Sequence, residues 1–583
     1  MEYQNRASPL IKTPQSALII LVIAFLYLLH CAKEGMPPGG PEDTTLPKVI
    51  IVSPSSDSTG VDLNSQIKIT FSERMLQESV EGAIFVSPFP KIPLDYNWHG
   101  KTLTLSSSES WQKDRTYVVT IGTSAQDLHR NRMSQSFTSA FSTGRSIDHG
   151  DISGEVWVRK GAGFGREIEI GVWAYLLSAE RTEVYPEKEK PDYVTQADEQ
   201  GKYALKNLGW GKYRLFAVKD INWDMLWSGE DEIVGITTGD VSLTEENTSK
   251  AFVDFVLDKI DLSPPELLNC RALNQNLVRL EFSEKMDDKS VLDTSNYELS
   301  LASDHKLVPL ISSFYPDDDT KTIFLLTGEM NSNATLELKV PVLKDQSGNL
   351  MDTIYNTCRF EGSVSPDTAG LQILSILPSN QAVQIPQNAK IKLSFNQPPV
   401  PQTVEDNFSL VDSNLNQVPG KVEWISPNTL VFSPDSLLPG KMSYTVNLLG
   451  KGIRNLLGTA SLQDSLVRSN FVTINPDTFG AVSGKVVINN PPEISGNLIL
   501  TLWQSVENGL SYQIHPSTPD HFLFERILPG KYFLSGYSDL NRDRTFNLGR
   551  IKPYSSREPF AVYSDTVYVR SRWETEGIEL KFH

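Results

Sequence analysis

Two stretches, IKITFSERM at Ile67–Met75 and VRLEFSEKM at Val278–Met286, decide the fold of this chain. In each stretch apolar and polar residues alternate and the run ends in Phe, Ser and Glu, as expected for a half-buried β-strand that enters a turn. A weaker copy, IKLSFNQPP at Ile391–Pro399, lacks the Glu and the Met. A second alternating strand follows each copy, as TYVVTI, TLELKV and SYTVNL. Repeats of this kind, over roughly 100 residues each, predict β-sandwiches.

These repeats resemble the SbsA-type bacterial Ig-like domain, whose pattern continues from F-S-E-x-M to a later D-x-x-G-N loop. The corresponding loops are Asp127–Asn131, Asp345–Asn349 and a degraded Gly452–Asn455. The resemblance implies an Ig-like fold but no particular activity, because this kind of fold serves many functions. The three Ig-like domains that it implies are residues 46–145, 261–362 and 366–475.

Two further stretches repeat each other, GKYALKNLGWGKYRLFAVKDINWD at Gly201–Asp224 and FLFERILPGKYFLSGYSDLNRD at Phe522–Asp543. They resemble the transthyretin-like, carboxypeptidase-regulatory-like sandwich, a non-catalytic module of exported bacterial proteins. The resemblance implies such domains at 149–260 and 478–583. The expected fold class is therefore all-β, a tandem array of five β-sandwiches that we call the first to fifth domains.

The N-terminal segment predicts export. Arg6 and Lys12 precede an unbroken apolar run at Ala17–Leu29, which is too short for the ~20 residues that span a bilayer and fits a signal peptide at 1–30. The run leads to Cys31 in a sequence that resembles a bacterial lipobox. The resemblance implies cleavage before this cysteine and its lipidation.

The residue before Cys31 is His30, whereas the lipobox pattern has a small residue there. The alternative to lipidation is therefore an uncleaved N-terminal anchor with an incidental cysteine. The Pro- and Gly-rich residues 31–45 predict an extended tether. Together with the cysteine they resemble surface-directed lipoproteins of the Bacteroidota, which implies attachment to the membrane and an outer-membrane location in the bacterial cell envelope.

The charge and the lack of catalytic motifs argue against several classes of function. A formal charge of −18, from 53 Lys and Arg against 71 Asp and Glu, argues against nucleic acid as a partner. The eight histidines include no H-x-x-x-H pair, and no G-x-S-x-G elbow occurs. Gly161–Gly165, GAGFG, lacks both the last glycine and the following helix of a phosphate loop. We therefore expect no enzyme and no catalytic residues.

The second domain contains a candidate calcium loop, because oxygen ligands stand at alternate positions and a carboxylate lies near position 12. Its residues are Asp220, Asn222, Asp224 and Asp231. A similar pattern recurs at Asp539–Asp543, but Met225 and Arg544 stand where an EF-hand requires glycine. The alternative is that these side chains cap their own turn. The sequence therefore predicts no cofactor other than a structural calcium ion in this loop.

Cys270 and Cys358 fall on the expected first and last strands of the third domain. In an oxidising compartment they would form a disulfide worth about 4–5 kcal/mol by loop entropy. The alternative is two separate buried thiols.

The fifth domain departs from the acidic composition. From Asp520 onward there are ten Lys and Arg against nine Asp and Glu, together with twelve aromatic residues. Arginine and aromatic residues are enriched at binding surfaces, although strand-core positions account for some of them. The candidate surface residues are Arg542, Arg544, Tyr554, Arg572 and Trp573.

These features predict a non-enzymatic, membrane-anchored envelope lipoprotein. The five sandwiches, of ~40 Å each, would act as a spacer that presents the last domain to an envelope protein or surface glycan. The spacer would reach ~150–200 Å if the linkers keep the domains in line. The alternative is a carbohydrate-binding accessory lipoprotein of a glycan uptake or secretion system, with Trp210, Trp223 and Trp227 as the aromatic platform. An enzyme would instead require a pocket with convergent titratable groups at a domain junction.

Overall fold

The computed structural model describes residues 43–90, 93–161, 163–316, 319–330, 334–489, 497–504 and 509–583. Cys31, the signal peptide and most of the tether lie outside these residues. The regular secondary structure of the described residues is almost entirely β-strand, arranged in separate sheets, which confirms the all-β fold class and the tandem array of sandwiches. No described helix combines the length and apolar character needed to cross a bilayer.

The first domain is a two-sheet sandwich. Its elements are β1 (Val49–Ser53), β2 (Ile67–Phe71), α1 (Gln77–Ala83), β3 (Ile84–Ser87), β4 (Asp95–His99), β5 (Thr102–Ser106), β6 (Thr116–Ile121) and β7 (Phe137–Ser142). The sheets have the strand orders β1-β2-β5-β4 and β3-β6-β7. Ile67, Ile69 and Phe71 on β2 are fully buried between the sheets, as the alternating pattern predicts.

The second domain has one long, curved sheet. Its elements are β8 (Gly150–Lys160), β9 (Gly163–Gly165), β10 (Gly171–Leu177), β11 (Tyr193–Gln196), β12 (Lys202–Leu208), β13 (Gly211–Val218), a 3₁₀ turn (Gly229–Asp231), β14 (Val234–Ile236), β15 (Val241–Leu243), β16 (Ser249–Lys250) and β17 (Phe255–Asp258). The main strand order is β11-β10-β13-β14-β17-β8-β12. The first strand, β8, pairs in parallel with the last, β17.

The third domain repeats the arrangement of the first. Its elements are β18 (Leu267–Asn274), β19 (Leu277–Phe282), α2 (Asp288–Leu292), a 3₁₀ turn (Thr294–Asn296), β20 (Glu298–Leu301), β21 (Leu310–Phe314), β22 (Thr322–Thr327), β23 (Thr335–Lys339) and β24 (Thr357–Glu361). The strand orders are β18-β19-β22-β21 and β20-β23-β24.

The fourth domain adds one strand to the same plan. Its elements are β25 (Ile373–Leu377), β26 (Ala382–Ile385), β27 (Ile391–Phe395), α3 (Pro401–Glu405), β28 (Phe408–Asp412), β29 (Gly420–Ser426), β30 (Thr429–Pro434), β31 (Ser443–Leu448), a 3₁₀ turn (Gly450–Gly452) and β32 (Val467–Thr473). The strand orders are β25-β27-β30-β29 and β26-β32-β31-β28. The third FSE-like copy therefore still forms the corresponding strand, β27, although it has lost the Glu and the Met.

The fifth domain shares its topology with the second. Its elements are a 3₁₀ turn (Pro476–Thr478), β33 (Gly480–Ile488), β34 (Asn497–Trp503), β35 (Ser511–Ile514), β36 (Phe522–Ile527), β37 (Gly530–Asp539), β38 (Phe560–Val562), β39 (Val567–Val569) and β40 (Glu574–Phe582). The sheets have the orders β36-β33-β40 and β35-β34-β37-β38. As in the second domain, the first strand pairs in parallel with the last.

Consecutive domains touch through specific hydrogen bonds. Between the first and second domains, the backbone N–H of Ser124 donates to Gln196 Oε1 (3.0 Å), and Leu262 N–H at the start of the third domain donates to Glu230 Oε1 of the second (2.8 Å). Asn428 of the fourth domain donates to the Tyr315 carbonyl of the third at 3.1 Å. The last such bond joins the fifth domain to the fourth, from Arg526 Nη1 to Gln387 Oε1 at 3.2 Å.

The fifth domain also contacts the second domain. Arg557 Nη2 donates a hydrogen bond to the carbonyl oxygen of Asp254 at 2.7 Å, and the two residues are 303 positions apart in sequence. The second to fifth domains therefore form a closed circuit of contacts. The straight, in-line arrangement that a length of ~150–200 Å requires is therefore wrong for the second to fifth domains, because a straight array keeps the second and fifth domains apart.

The third domain contains a disulfide. Cys270 on β18 is bonded to Cys358 on β24, with their Cα atoms 6.3 Å apart and 88 positions apart in sequence. These strands belong to different sheets, so the bond ties the two layers of the sandwich together.

We expect the double change Cys270→Ala with Cys358→Ala to lower the unfolding free energy of the third domain by about 4 kcal/mol, because the loop that the bond closes is long. Denaturant unfolding of the full chain measures this loss. A reducing agent should reproduce it in the unmodified chain and have no effect on the double variant. An unchanged unfolding midpoint in the double variant contradicts a stabilising bond.

Candidate interaction site between the second and fifth domains

The sheet of the second domain is apolar on both faces. On β13, Tyr213, Leu215 and Ala217 point into the core of the domain, whereas Phe216 and Val218 belong to a separate cluster on the opposite face. That second cluster also includes Trp173, Trp227 and, from the fifth domain, Ile551. The fifth domain thus covers apolar surface that would otherwise face water.

Tyr554 forms the edge of this contact. Its ring lies 3.7 Å from the guanidinium carbon of Arg214 and 6.4 Å, edge to face, from Phe216. Arg214 is itself buried and paired with Asp240 at 2.9 Å. Tyr554 is therefore a contact residue of the second domain and not part of a free surface in the fifth.

The GAGFG segment is a second docking element. Phe164 packs against Phe546 and Phe560 of the fifth domain, with ring centroids 6.4 and 6.0 Å apart. The Trp503 ring lies so close to Gly163 that a Cβ atom there would be 2.1 Å from it. Glycine at position 163 is therefore required by this close approach of the two domains.

Arg557 is buried at the centre of the interface, with 5% of its surface exposed. Its two Nη atoms donate to the carbonyl oxygens of Glu558 and Asp254, both at 2.7 Å. Among the described residues no carboxylate forms an ion pair with it, and its Nε has no hydrogen-bond partner. Burial lowers the pKa of the Arg557 guanidinium to about 10.

The other predicted surface residues of the fifth domain are exposed and lie in two places. Arg542 and Arg544 belong to the D-x-N-x-D loop, and Arg544 lines a cavity of about 410 Å³. Arg572 and Trp573 lie in the turn between β39 and β40, where Arg572 pairs with Asp477 at 2.9 Å. Trp573 is 71% exposed.

The two D-x-N-x-D loops have the same structure. Asp220 accepts hydrogen bonds from the backbone N–H groups of Trp223 (2.6 Å) and Met225 (2.9 Å), and Asn222 accepts one from Asp224 N–H (3.1 Å). In the fifth domain Asp539 accepts hydrogen bonds from the N–H groups of Asp543 and Arg544, both at 3.1 Å, and Asn541 accepts one from Asp543 N–H at 3.0 Å. Both loops place non-glycine residues at positive φ, which costs about 1–2 kcal/mol per residue.

A buried glutamate completes each loop. Glu232, which is 1% exposed, accepts hydrogen bonds from Ile221 N–H (2.8 Å) and Ser228 N–H (3.0 Å). Glu558 does the same for Leu540 N–H and Asn547 N–H. Sequence reasoning selected the exposed Asp231 instead of its neighbour Glu232, and the recurrence of a glutamate after both loops is the signal that identifies it. Calcium at the first loop remains a prediction.

Two other groups of described residues bring potential metal ligands within 4.8 Å of one another. They are Asp43, Asp127 and His129 in the first domain, and Asp261, Glu284 and Asp345 in the third. Asp127 and Asp345 lie in the D-x-x-G-N-like loops. Each accepts a hydrogen bond from a backbone N–H group of its loop, that of Asn131 and that of Asn349 respectively. Both groups therefore join the start of a domain to that loop.

Partial burial, together with the nearby charges of Asp261 and Asp345, raises the pKa of Glu284 to about 7. The fourth domain has amides, Gln397 and Asn455, in place of Glu284 and Asp345, and keeps an aspartate at its start. There Gln397 donates to Asp367 Oδ2 at 3.0 Å, and Asn455 donates to Gln397 Oε1 at 3.4 Å. The fourth domain thus makes the same connection without the repulsion between acids.

Two regions of the chain, residues 43–143 and 367–473, match the family model of the bacterial Ig-like domain. They correspond to the first and fourth domains. No curated protein matches the chain.

Solved structures give only remote similarity. The N-terminal part of the bacterial S-layer protein SbsC is 12% identical with a TM-score of 0.17, covering 36% of this chain and 44% of that one. The S-layer protein rSbsC(31-844) is 11% identical (96% and 69% covered, TM-score 0.16), and an L,D-transpeptidase from Mycobacterium smegmatis is 11% identical (37% and 90%, TM-score 0.14). The chain spans less than half of the first of these structures, and no functional argument rests on scores this low.

We expect the third domain to lose stability as the pH rises from about 4.5 to about 7, because the folded state holds a proton on Glu284 that the unfolded chain releases. Glu284→Gln should remove this pH dependence and make the domain more stable than the unmodified one at pH 8. Denaturant unfolding at pH 5 and pH 8 in EDTA measures both effects.

The matched control is Glu281→Gln, a change to a neighbouring glutamate that pairs with Arg279. It should leave the pH dependence intact. Equal pH dependence in the Glu284→Gln and unmodified chains contradicts the role given to this carboxyl group.

Proposed function

We propose that the protein is a non-enzymatic component of the bacterial envelope, held at a membrane by its N-terminal segment, and that its second and fifth domains together form the unit that binds a partner. The observation that carries the proposal is the docking of Ile551, Tyr554 and Arg557 onto the second domain. The bacterial Ig-like domains support an envelope role. In this arrangement they hold the binding unit together and connect it to the anchor.

A carbohydrate-binding role is the second candidate. The three-tryptophan platform expected for it is wrong, because Trp227 is only 5% exposed and the Trp223 ring packs against Gly82 of the first domain. The observation that favours this role is instead the cleft between the two docked domains. Trp157 and Phe252 lie in its wall together with charged side chains.

Undocking the fifth domain tests the binding unit. Ile551→Asp buries a charge in the interface but lies outside the fifth domain's own core, so we expect the domains to separate and the full chain to expand. Small-angle scattering measures the increase in radius of gyration. Affinity purification from intact envelopes should then recover the partners at background level.

The control is Leu540→Asp, the same kind of change at a leucine that is 46% exposed in the same domain. Gly163→Leu, which places a side chain where the Trp503 ring lies, should reproduce the effect of Ile551→Asp from the other side of the interface. If the separated variants retain the partner set of the unmodified chain, the paired domains are not the binding unit.

Anchoring through Cys31 is tested separately. We expect Cys31→Ala to abolish lipidation and release most of the protein into the soluble fraction, because the apolar run before it is too short to span a bilayer. Membrane fractionation with metabolic lipid labelling measures both. A Cys31→Ala protein that stays firmly in the membrane fraction refutes the lipid anchor.

A further inference from the structure

A continuous cleft runs between the second and fifth domains. It consists of two adjoining cavities of about 780 and 470 Å³ that share Phe252, Asp254, Phe560 and His583. The larger one has the volume of typical small-ligand sites, about 300–1,000 Å³. Phe252 stacks on His583 where the cavities meet, with ring centroids 3.9 Å apart and planes 9° apart.

The unpaired charges of the cleft are mainly positive, although the whole chain carries −18. Three of its carboxylates already have cationic partners outside the lining. These pairs are Glu155–Arg166, Glu579–Lys485 and Asp240–Arg214. Burial raises the pKa of the fourth carboxyl group, Asp254, which also accepts a hydrogen bond from Glu155 N–H at 2.7 Å.

The cations of the cleft have no such partners. Lys202 and Lys581 line the larger cavity and Lys250 the smaller one, and none of them forms an ion pair within the described part of the chain. Arg557 lines the smaller cavity as well, buried and with its Nε unpartnered. The nearby charge of Asp254 compensates the buried guanidinium of Arg557. The cations that remain for an anionic ligand are therefore the three lysines.

Backbone strain marks the same place. Phe252 has φ of +62°, in the left-handed region, and its side chain is 55% exposed at the mouth of the cleft. Such a conformation costs about 1–3 kcal/mol and is concentrated at binding sites. The strain holds an aromatic ring where a ligand can contact it.

One face of β40 contributes side chains to the cleft, and β40 is also the outer strand of its sheet. Gly577, Glu579, Lys581 and His583 are alternate residues on or just after β40, so they project from one face of the strand. Addition of a peptide as an extra strand requires consecutive backbone N–H and C=O groups. The alternate residues of β40 therefore favour a ligand that contacts side chains, and an acidic peptide is the competitor that the test has to separate from a saccharide.

We propose that this cleft binds an acidic oligosaccharide, whose carboxylates or other anionic groups contact the three lysines while its sugar rings pack against Trp157 and Phe252. The assignment rests on the proposed function, in which the docked domains are the binding unit. A neutral glycan would leave the cations without a counter-charge.

Calorimetric titration of the full chain tests the proposal with three hexamers, namely hexagalacturonate, maltohexaose and hexaglutamate. We expect hexagalacturonate to bind, with an affinity that falls as salt rises, and the other two to bind at least ten times more weakly. The double change Lys202→Gln with Lys581→Gln should raise the dissociation constant for hexagalacturonate about ten-fold.

The control pair is Lys421→Gln with Lys451→Gln, two exposed lysines of the fourth domain that give the same change in net charge. Equal affinity in the two double variants, or no binding of hexagalacturonate to the unmodified chain, overturns the proposal. Equal or tighter binding of hexaglutamate overturns the choice of a saccharide. If these tests fail while Ile551→Asp still abolishes partner capture, only the ligand assignment is lost and the proposed function stands.

Discussion

Both faces of the second domain's sheet are apolar and have to be buried, and the arrangement of the domains depends on this burial. Its own core accounts for one face, while Trp173, Phe216 and Val218 lie on the other. Burying an apolar side chain of this size is worth about 1.5–3 kcal/mol. The cover comes from Phe85 and Phe89 of the first domain and from Ile551 and Tyr554 of the fifth. The contact with the fifth domain then closes the circuit that runs through the third and fourth.

Hydrogen bonds to polar side chains stabilise the D-x-N-x-D loops and the D-x-x-G-N-like loops. In the second and fifth domains Glu232 and Glu558 accept hydrogen bonds from loops that place non-glycine residues at positive φ. The Ig-like domains connect their starting residues to the D-x-x-G-N-like loop. The fourth domain does so with Gln397 and Asn455, which shows that the carboxylates of the third domain are not needed for the connection itself.

Much of the fold follows from sequence periodicity. Alternation at Ile67–Phe71 and its copies predicts the strands, and the Gly-Lys-Tyr repeats correctly relate the second domain to the fifth. The docking was missed because it depends on surfaces far apart in sequence, which periodicity along one strand does not connect. The uninterrupted apolar run Leu215–Val218 does indicate a strand that is buried on both faces, and so predicts that something covers the second face. The arginine and aromatic enrichment of the fifth domain predicts a free binding surface, but Tyr554 and Arg557 lie in the interface with the second domain instead.

The contact between the second and fifth domains can form only after both have been synthesised. Arg557 lies 303 positions after Asp254, so the second domain is complete long before its cover has been synthesised. At about 5–20 residues per second the interval is about 15–60 s. Throughout it, Trp173 and Phe216 have no contact from the fifth domain, and exposed apolar surface of this kind promotes aggregation. Until the fifth domain follows, this face of the second domain is therefore a site that a chaperone would have to cover.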